Sequence, residues 1–140
     1  MMRPVSPSGT HVVLIPSYNT GPRVLQTARD ARRVWAPVWV VVDGSTDGSA
    51  DLLRAEAATD PGLEVFVLPR NSGKGAAVLH GLREARRRGF THALTMDADG
   101  QHNPARIPEF MALSAAHPRA VLLGKPIFDA RVPKERLHGR

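Results

Sequence analysis

Two aspartates near the middle of the sequence have residue types and a spacing that could do chemistry. Asp97 and Asp99 are one residue apart and directly follow an apolar segment, residues 93–96. If that segment is a β-strand, both carboxylates lie on the same side, because side chains alternate along a strand. Mg²⁺ and Mn²⁺ prefer oxygen ligands, accept one or two carboxylates and keep positions open for phosphate oxygens. The pair therefore predicts a metal-assisted phosphate site, whereas on a solvated loop the same pattern would form a turn or a cap.

The apolar segments of the chain predict the elements that position this pair. Five short apolar runs recur at nearly even spacing, which is the period of a strand, a helix and a return. The runs are continuous rather than alternating, as expected for strands that helices cover on both faces. The sequence therefore predicts an α/β fold of three layers, α/β/α, around a mostly parallel sheet. The predicted strands are residues 11–15, 38–42, 64–68, 93–96 and 120–123.

The segments between these strands have the spacing of amphipathic helices. The third helix is predicted over residues 75–88, and the fourth begins at Asn103, a cap, followed by Pro104. Either Ser45 or Asp47 is expected to cap the short second helix. The predicted buried residues are Val24, Ala28, Ala31 and Trp35 in the first helix, Leu52 and Leu53 in the second, Val78, Leu82 and Ala85 in the third, and Ile107, Phe110, Met111 and Ser114 in the fourth.

Length and composition predict one globular domain. The chain has 140 residues, 42% of them hydrophobic, and no cysteine, which excludes disulfides and thiolate metal sites. The expected organisation is a flexible N-terminus over residues 1–10, a folded domain over 11–124 and a basic tail over 125–140. The longest apolar run, residues 38–42, is far shorter than the roughly 20 residues of a membrane span, and the N-terminus has no apolar signal region. A cytoplasmic location is therefore expected.

The charge of the chain is strongly basic and raises the question of its partner. The formal net charge is +6, and the arginines concentrate in residues 29–33, 83–88 and 131–140. Only 5% of the residues are aromatic, so there are few platforms on which bases could stack. The first two clusters are interpreted as solvated helix faces, with attraction to anionic lipid headgroups or to a nucleotide as the functional alternative. The sequence thus predicts no nucleic-acid partner and allows a peripheral position at the inner face of the membrane.

Polar segments follow four of the predicted strands, where ligands bind in open parallel sheets. They are residues 16–19, 43–49, 69–75 and 97–102. Asp43 could accept hydrogen bonds from a nucleobase or ribose, or it could cap its own turn. Tyr18 could stack on a base or pack in the fold. Asp47 is expected to act as a helix cap.

The loop at residues 71–76 and His102 carry two further interpretations. The loop places free backbone N–H groups and the ammonium of Lys74 at a helix start, an arrangement that binds anions. It is not a P-loop, because Leu68 stands where the first glycine of that motif would be and Gly75 follows the lysine. His102 could complete a metal site with Asp99, or it could be a solvated residue at a helix start.

Taken in order, these four segments resemble the family 2 glycosyltransferases of the GT-A fold. The matching segments are residues 15–19, 42–49, 71–76 and 96–102, spread over residues 11–124. The Asp-Ala-Asp-Gly-Gln-His segment, together with the Asn-Ser-Gly-Lys-Gly loop, is most similar to the branch that includes polyprenyl-phosphate sugar transferases. The resemblance implies a nucleoside-diphosphate sugar of the UDP or GDP type as donor and Mg²⁺ or Mn²⁺ as cofactor. It implies transfer with inversion to a polyprenyl phosphate or a saccharide.

The resemblance also implies a role for individual residues of the nucleotide-sugar site. The metal pair would be Asp97 and Asp99, which flank Ala98 and stand beside Gln101. Asp43 would read the base. The nucleotide pocket would be lined by Pro16, Tyr18 and Asn19, and the ribose and diphosphate would be flanked by Asn71, Gly73 and Lys74.

Two departures from the family pattern limit what the resemblance implies. Thr20 follows the Tyr-Asn pair, where family members often have a glutamate. The chain also stops soon after the fifth predicted strand, so the acceptor half and its usual catalytic carboxylate are not visible. The expectation is a donor-binding half without an assignable catalytic residue, with an exposed sheet edge that favours self-association.

Two other functions remain open from the residues alone. A nucleotidyltransferase that forms a sugar nucleotide shares this type of fold, but it usually has a Gly-rich basic loop after the first strand, where this chain has residues 16–19. A non-catalytic nucleotide-binding remnant would also fit the short chain.

Overall fold

The computed structural model describes residues 5–124 and contains one four-stranded parallel sheet. The order of the strands across the sheet is β3-β2-β1-β4, and each of the three neighbouring pairs is parallel. The predicted parallel α/β fold is therefore confirmed. The strands are β1 (His11–Ser17), β2 (Val38–Asp43), β3 (Leu63–Leu68) and β4 (His92–Thr95).

Four helices cover the two faces of this sheet. They are α1 (Pro22–Arg32), α2 (Ser49–Thr59), α3 (Lys74–Arg87) and α4 (Ile107–Ala116), the last preceded by a short 3₁₀ turn, Pro104–Arg106. Asn103 caps that turn, because its side-chain oxygen accepts from the N–H of Ala105 at 3.0 Å. Helices α1, α2 and α4 pack on one face and α3 packs on the other.

The core consists of two unequal parts, one on each face of the central strands. Alternate residues of β1 and β2, such as Val13 and Val40, pack against α1, α2 and α4. The residues between them, such as Leu14 and Trp39, face α3. Both strands are buried over almost their whole length because apolar layers lie above and below them. This burial on both faces explains why the strand sequences are continuous apolar runs.

The buried stripe of α3 differs from the predicted one. Leu82 is 41% exposed and Val78 is only partly buried, whereas Ala77, Gly81 and Ala85 face the sheet. A Cβ atom on Gly81 would lie 3.0 Å from the side chain of Leu14, so small residues let this helix approach the sheet closely. The prediction was wrong for Leu82 because it ranked residues by hydrophobicity, while this contact selects for size.

Smaller differences affect the other helices. In α2, Leu53 is fully buried as predicted, but Leu52 is 45% exposed. Trp35 lies beyond the end of α1 and is partly buried, with its indole N–H donating to the carbonyl of His11 at 3.1 Å. In α4, Ile107 and Met111 are buried, and Phe110 and Ser114 are partly buried.

The fifth predicted strand does not form. Residues 120–124 have no strand structure, and the side chains of Val121 and Leu123 are each 85% exposed. A strand persists through hydrogen bonds to a neighbouring strand, and within residues 5–124 this segment pairs with none. The apolar run alone was therefore insufficient evidence for a strand.

The two predicted ends of the chain are described only in part. The predicted basic tail, residues 125–140, lies outside the described residues, as do residues 1–4. Ser8 lies in the segment predicted to be flexible, yet its N–H donates to the carbonyl of Ala36 at 2.7 Å. Among residues 5–124, no helix has the length and apolar character needed to cross a bilayer.

Candidate functional site

A cleft of about 390 Å³ opens at the carboxyl ends of the strands. Its walls come from the segments after β1, β2, β3 and β4, which the parallel topology brings to one edge of the sheet. Eight of the eleven lining residues are polar or charged. The lining residues are Pro16, Ser17, Tyr18, Thr20, Asp43, Asn71, Lys74, Ala77, Asp97, Ala98 and Asp99.

The segment after β4 presents the two carboxylates in a loop closed by its own side chains. The N–H of Asp97 donates to Nδ1 of His102 at 3.0 Å, and the N–H of Gln101 donates to Oδ1 of Asp99 at 3.0 Å. Because Nδ1 of His102 accepts this bond, the ring proton lies on Nε2, which is 3.7 Å from Oδ2 of Asp97. His102 therefore positions Asp97, and the sequence alternatives of metal ligand or solvated residue did not include this role.

A lysine from the opposite wall meets the same carboxylate. The ammonium of Lys74, the first residue of α3, donates to Oδ1 of Asp97. Its side chain is 66% exposed and that of Asp97 is 30% exposed, so both groups remain open to a ligand in the cleft. A cation and an anion in one small site can hold a diphosphate and a metal side by side.

Thr27 supports this loop from beneath, and the sequence interpretation did not identify it. Its hydroxyl donates to the carbonyl of Ala98 at 3.1 Å in a buried position of α1. Ala98 is itself 3% exposed, so the residue between the two aspartates anchors the loop at the wall of the cleft. The sequence does contain a signal for this role, since Thr27 is a polar residue three positions after Val24, on the buried stripe of the helix.

Asp43 ties the β2 end to the loop before α3. Its carboxylate is 2% exposed and accepts the N–H groups of Ser72 at 2.9 Å and Gly73 at 2.8 Å. Gly44 makes this approach possible, since its φ is +71° and a Cβ there would overlap the backbone of Arg70 and Asn71. Asp43 thus has an anchoring role, and it is also one of the residues that line the cleft.

The segments after β1 and β2 are joined by a second set of hydrogen bonds. Asn19 donates its N–H to the hydroxyl of Ser45 at 2.9 Å and accepts the N–H of Thr46 on its side chain at 2.8 Å. Asp47 accepts from the N–H of Gly21 at 2.8 Å and from both the N–H and the hydroxyl of Ser49. The Ser49 hydroxyl, with these N–H groups, holds the pKa of the Asp47 carboxyl below its usual value. The N-cap of α2 is Gly48 rather than the expected Ser45 or Asp47, and Asp47 instead binds the first helix residue, Ser49, and joins the two loops through Gly21.

The structure brings most of the sequence-predicted site residues to the cleft. Three do not line it: Asn19 joins two loops, Gly73 donates to Asp43, and Gln101 donates to Asp99 through its backbone. Ser17 and Thr20 line the cleft without having been predicted, and their hydroxyls lie 2.7 Å apart. The predicted residues that line it are Pro16, Tyr18, Asp43, Asn71, Lys74, Asp97, Ala98 and Asp99.

The donor atoms fit a hard divalent cation that is shared with a ligand. Asp97 and Asp99 supply two carboxylates at the cleft, but no group of three metal-binding side chains occurs among the described residues. Mg²⁺ and related ions accept one or two carboxylates and complete their shell with water and phosphate oxygens. The residues therefore fit a metal that binds together with a phosphorylated ligand rather than a closed protein site.

Comparison with known proteins assigns the family. The sequence model of Glycosyl transferase family 2 matches residues 12–139. This chain belongs to glycosyl transferase family 2. The match covers all four polar strand ends, and it confirms the family that the sequence motifs indicated.

Curated members of the family resemble this chain over part of their length. It is 36% identical over 103 residues to the undecaprenyl-phosphate mannosyltransferase of Micrococcus luteus, covering 71% of this chain and 42% of that protein. It is 34% identical over 111 residues to the polyprenol monophosphomannose synthase of Mycolicibacterium smegmatis, covering 76% of this chain and 42% of that protein. This family 2 chain therefore spans about two fifths of the length of these relatives.

Two solved structures share its fold. The Pyrobaculum calidifontis mannosyltransferase PcManGT, in complex with GDP-Man and Mn²⁺, superposes with a TM-score of 0.52 at 27% identity, covering 68% of this chain and 30% of that one. TarS from S. aureus superposes with a TM-score of 0.60 at 22% identity, covering 78% of this chain and 33% of that one. These similarities confirm the GT-A type of the family 2 chain.

Proposed function

We propose that the cleft binds a nucleoside-diphosphate sugar together with Mg²⁺ or Mn²⁺. The observation that supports this most is that three carboxylates, an ammonium, an amide and a tyrosine from four strand ends line one cleft. The chain would form the donor-binding part of an inverting glycosyltransferase. The solved mannosyltransferase complex with GDP-Man and Mn²⁺, at 27% identity, supports this proposal.

Each part of the donor would meet a different wall of the cleft. Asp97 and Asp99 would hold the metal against the diphosphate, and Lys74 would pair with its oxygens. Asn71 would contact the ribose. Tyr18, which is 47% exposed, offers an aromatic face to a UDP or GDP base. Asp43 would accept a hydrogen bond from that base while it anchors the loop at Gly73.

The chemistry of such a site is stabilisation of the leaving group. Breaking the anomeric C–O bond leaves negative charge on the diphosphate, and a bound divalent cation supplies positive charge there. Lys74 adds a second positive charge at the same place, and the hydrogen bonds of Thr27 and His102 keep Asp97 and Ala98 in position. Groups held in place before the reaction lower its barrier more than groups that must reorganise.

The proposed acceptor is a polyprenyl phosphate, with a saccharide as the other acceptor class. The named relatives from Micrococcus luteus and Mycolicibacterium smegmatis are an undecaprenyl-phosphate mannosyltransferase and a polyprenol monophosphomannose synthase. A phosphate is already ionised at neutral pH, so its attack on the anomeric carbon needs no general base. A lipid acceptor also places the protein at the inner face of the membrane as a peripheral protein.

The test is titration of the 140-residue chain with UDP and GDP sugars, with and without Mn²⁺, by calorimetry. We expect metal-dependent binding that falls about 100-fold or more when Asp97→Asn and Asp99→Asn are combined, since both metal ligands lose their charge. The matched control is Asp51→Asn, which neutralises an exposed carboxylate of α2, and we expect it to leave binding unchanged. Binding that does not depend on Mn²⁺, or an affinity that the double substitution leaves unchanged, would contradict the proposal.

A second measurement separates an active donor half from a nucleotide-binding remnant. Turnover of the bound sugar is measured with and without a polyprenyl phosphate. Product that appears only with the lipid phosphate supports transfer by this chain, whereas tight binding without turnover supports a donor-binding part alone.

A further inference from the structure

Helix α3 places a leucine where a surface helix would normally be polar. This helix packs on β1, β2 and β4 through Ala77, Gly81 and Ala85. At 3.6 residues per turn, Leu79 is about 200° away from both Ala77 and Gly81, so it points almost directly away from the sheet. Its side chain is 45% exposed. The sheet therefore does not account for the apolar character of this position.

The neighbours of Leu79 on the helix surface form a mixed apolar and basic strip. Residues three, four and seven positions further along the helix share its face, and they are Leu82, Arg83 and Arg86. We call these four residues the α3 outer strip. Leu82 is 41% exposed and both arginines are exposed. The strip thus presents two half-exposed leucines followed, toward the carboxyl end of the helix, by two arginines.

The positive charge of the strip is not neutralised by nearby acids. Glu84, the acidic residue of α3, already pairs with Arg87 and Arg88. The guanidinium groups next to it hold the pKa of Glu84 at about 2, so it stays ionised and paired. Among residues 5–124, Arg83 and Arg86 form no salt bridge. Two positive charges are therefore available to an anionic partner on this face.

We propose that the α3 outer strip docks on the surface of an anionic lipid bilayer. Headgroup phosphates would accept hydrogen bonds from Arg83 and Arg86, and the two leucines would enter the boundary of the acyl region. A nucleic acid fits this surface less well, because two of its four residues are leucines and the strip has no aromatic residue on which a base could stack. If this face were only a solvated surface, the arginines would be explained but the two exposed leucines would not.

Docking by this strip would bring the site to the membrane. Lys74 begins the same helix and lines the cleft, and Val78 lies on the wall of an adjoining hollow of about 260 Å³. That hollow also contains Met96, Asp97 and His102. The link to a lipid-phosphate acceptor rests on the proposed function, whereas docking itself depends only on the strip.

Sedimentation of the 140-residue chain with vesicles tests the proposal. Vesicles of phosphatidylcholine mixed with phosphatidylglycerol are compared with vesicles of phosphatidylcholine alone. We expect binding to the anionic vesicles that weakens as salt is raised. Arg83→Gln combined with Arg86→Gln lowers the partition coefficient about 25-fold, at about fivefold for each arginine. Leu79→Gln combined with Leu82→Gln lowers it about tenfold.

A matched pair on the opposite face of the sheet serves as control. Leu52 of α2 is 45% exposed and the Arg54 side chain is 61% exposed, so Leu52→Gln with Arg54→Gln removes the same groups elsewhere. This variant keeps the wild-type partition coefficient. Far-UV circular dichroism verifies that each variant is folded.

Three results of the vesicle experiment would overturn the proposal. They are no binding to anionic vesicles, unchanged binding of the α3 variants, and an equal loss in the α2 control. Tighter binding to a nucleic-acid duplex with the same dependence on Arg83 and Arg86 would also overturn it in favour of that partner. The nucleotide-sugar titration is independent of vesicles, so failure of docking leaves the proposed donor site standing.

Discussion

The two ends of the parallel sheet use polar residues in opposite ways. At the amino end, the rings of His11 and His92 stack with centroids 4.5 Å apart. Their nitrogens are satisfied within the protein, for example His11 Nε2 by the Ser114 hydroxyl at 3.0 Å and His92 Nε2 by the Pro118 carbonyl at 2.7 Å. At the carboxyl end, the Asp97 carboxylate lines an open cleft.

This difference separates groups that stabilise the fold from groups that can bind a ligand. A polar side chain with all its partners inside the protein has little capacity left for a ligand. The carboxyl end has both kinds of group, because Asp43 and Asn19 fix the loops while Lys74 and Asp97 remain accessible. Family 2 membership and the position of the cleft agree with binding at this end of the sheet.

The largest expected effect comes from disturbing the anchoring of the loops at the carboxyl end. Gly44→Ala would place a Cβ against the backbone of Arg70 and Asn71 at a positive φ. We expect it to lower the free energy of unfolding by about 3 kcal/mol, from overlap and backbone strain together. Chemical denaturation measures this change.

Gly48→Ala is the matched control for this substitution. Gly48 has a φ of +83° but nothing within 4 Å of an added Cβ, so it isolates the cost of the backbone conformation. We expect a loss of about 1 kcal/mol. Equal losses in the two variants would show that the contact between the two loops does not constrain the site.

A smaller effect is expected from His102, which supports a cleft residue without lining the main cleft itself. His102→Ala removes the acceptor of the Asp97 N–H, and we expect about tenfold weaker binding of UDP or GDP sugars with Mn²⁺. His102→Asn restores most of this affinity because its side-chain oxygen takes the place of Nδ1. His102→Gln, which mimics Nε2, restores less. Calorimetry that ranks Gln above Asn would contradict the positioning role.

The smallest effect concerns the amino end and its dependence on pH. Burial and the neighbouring His92 lower the pKa of His11 from its usual value of 6.5. The unfolded chain therefore takes up this proton at a higher pH than the folded chain does. Stability contributed by neutral His11 is complete above pH 6.5 and is lost as the pH falls toward the lowered pKa.

Unfolding measured across this pH range checks the sign. His11→Gln flattens the decline, and His117→Gln, in an exposed residue, leaves it unchanged. An increase of stability on acidification through this range would contradict the account of the histidine pair. Nucleotide-sugar affinity at constant pH is not expected to respond to His11→Gln, because this residue lies at the opposite end of the sheet.

The sequence predicted the sheet better than the helix contacts. The four confirmed strands are short apolar runs that each pair with a neighbouring strand of the sheet. The failed strand, residues 120–123, has an apolar composition but no pairing partner within the described residues. Leu82 was misplaced because Gly81 allows a close approach to Leu14, and such a contact is visible only once the sheet is assembled.

The sequence predicted which segments form the site, but not the hydrogen bonds that connect them. The Asp97 and Asp99 pair and its position after a strand could be read from spacing and the parallel topology. The hydrogen bonds between Gly73 and Asp43 and between Thr27 and Ala98 join residues that are 30 and 71 positions apart. Such separations depend on tertiary packing, which has no periodic signal in the sequence.

Amide NMR with Mn²⁺ tests most directly the claim that the carboxyl end of the sheet is the binding end. Small amounts of Mn²⁺ are added to the labelled chain in the presence of UDP or GDP, and line broadening is recorded for each amide. We predict the strongest broadening at residues 97–102 and at Lys74, and the weakest at His11 and His92, which lie about five residues or roughly 16 Å further along the strands. Uniform broadening, or the strongest effect at the amino end, would contradict this account.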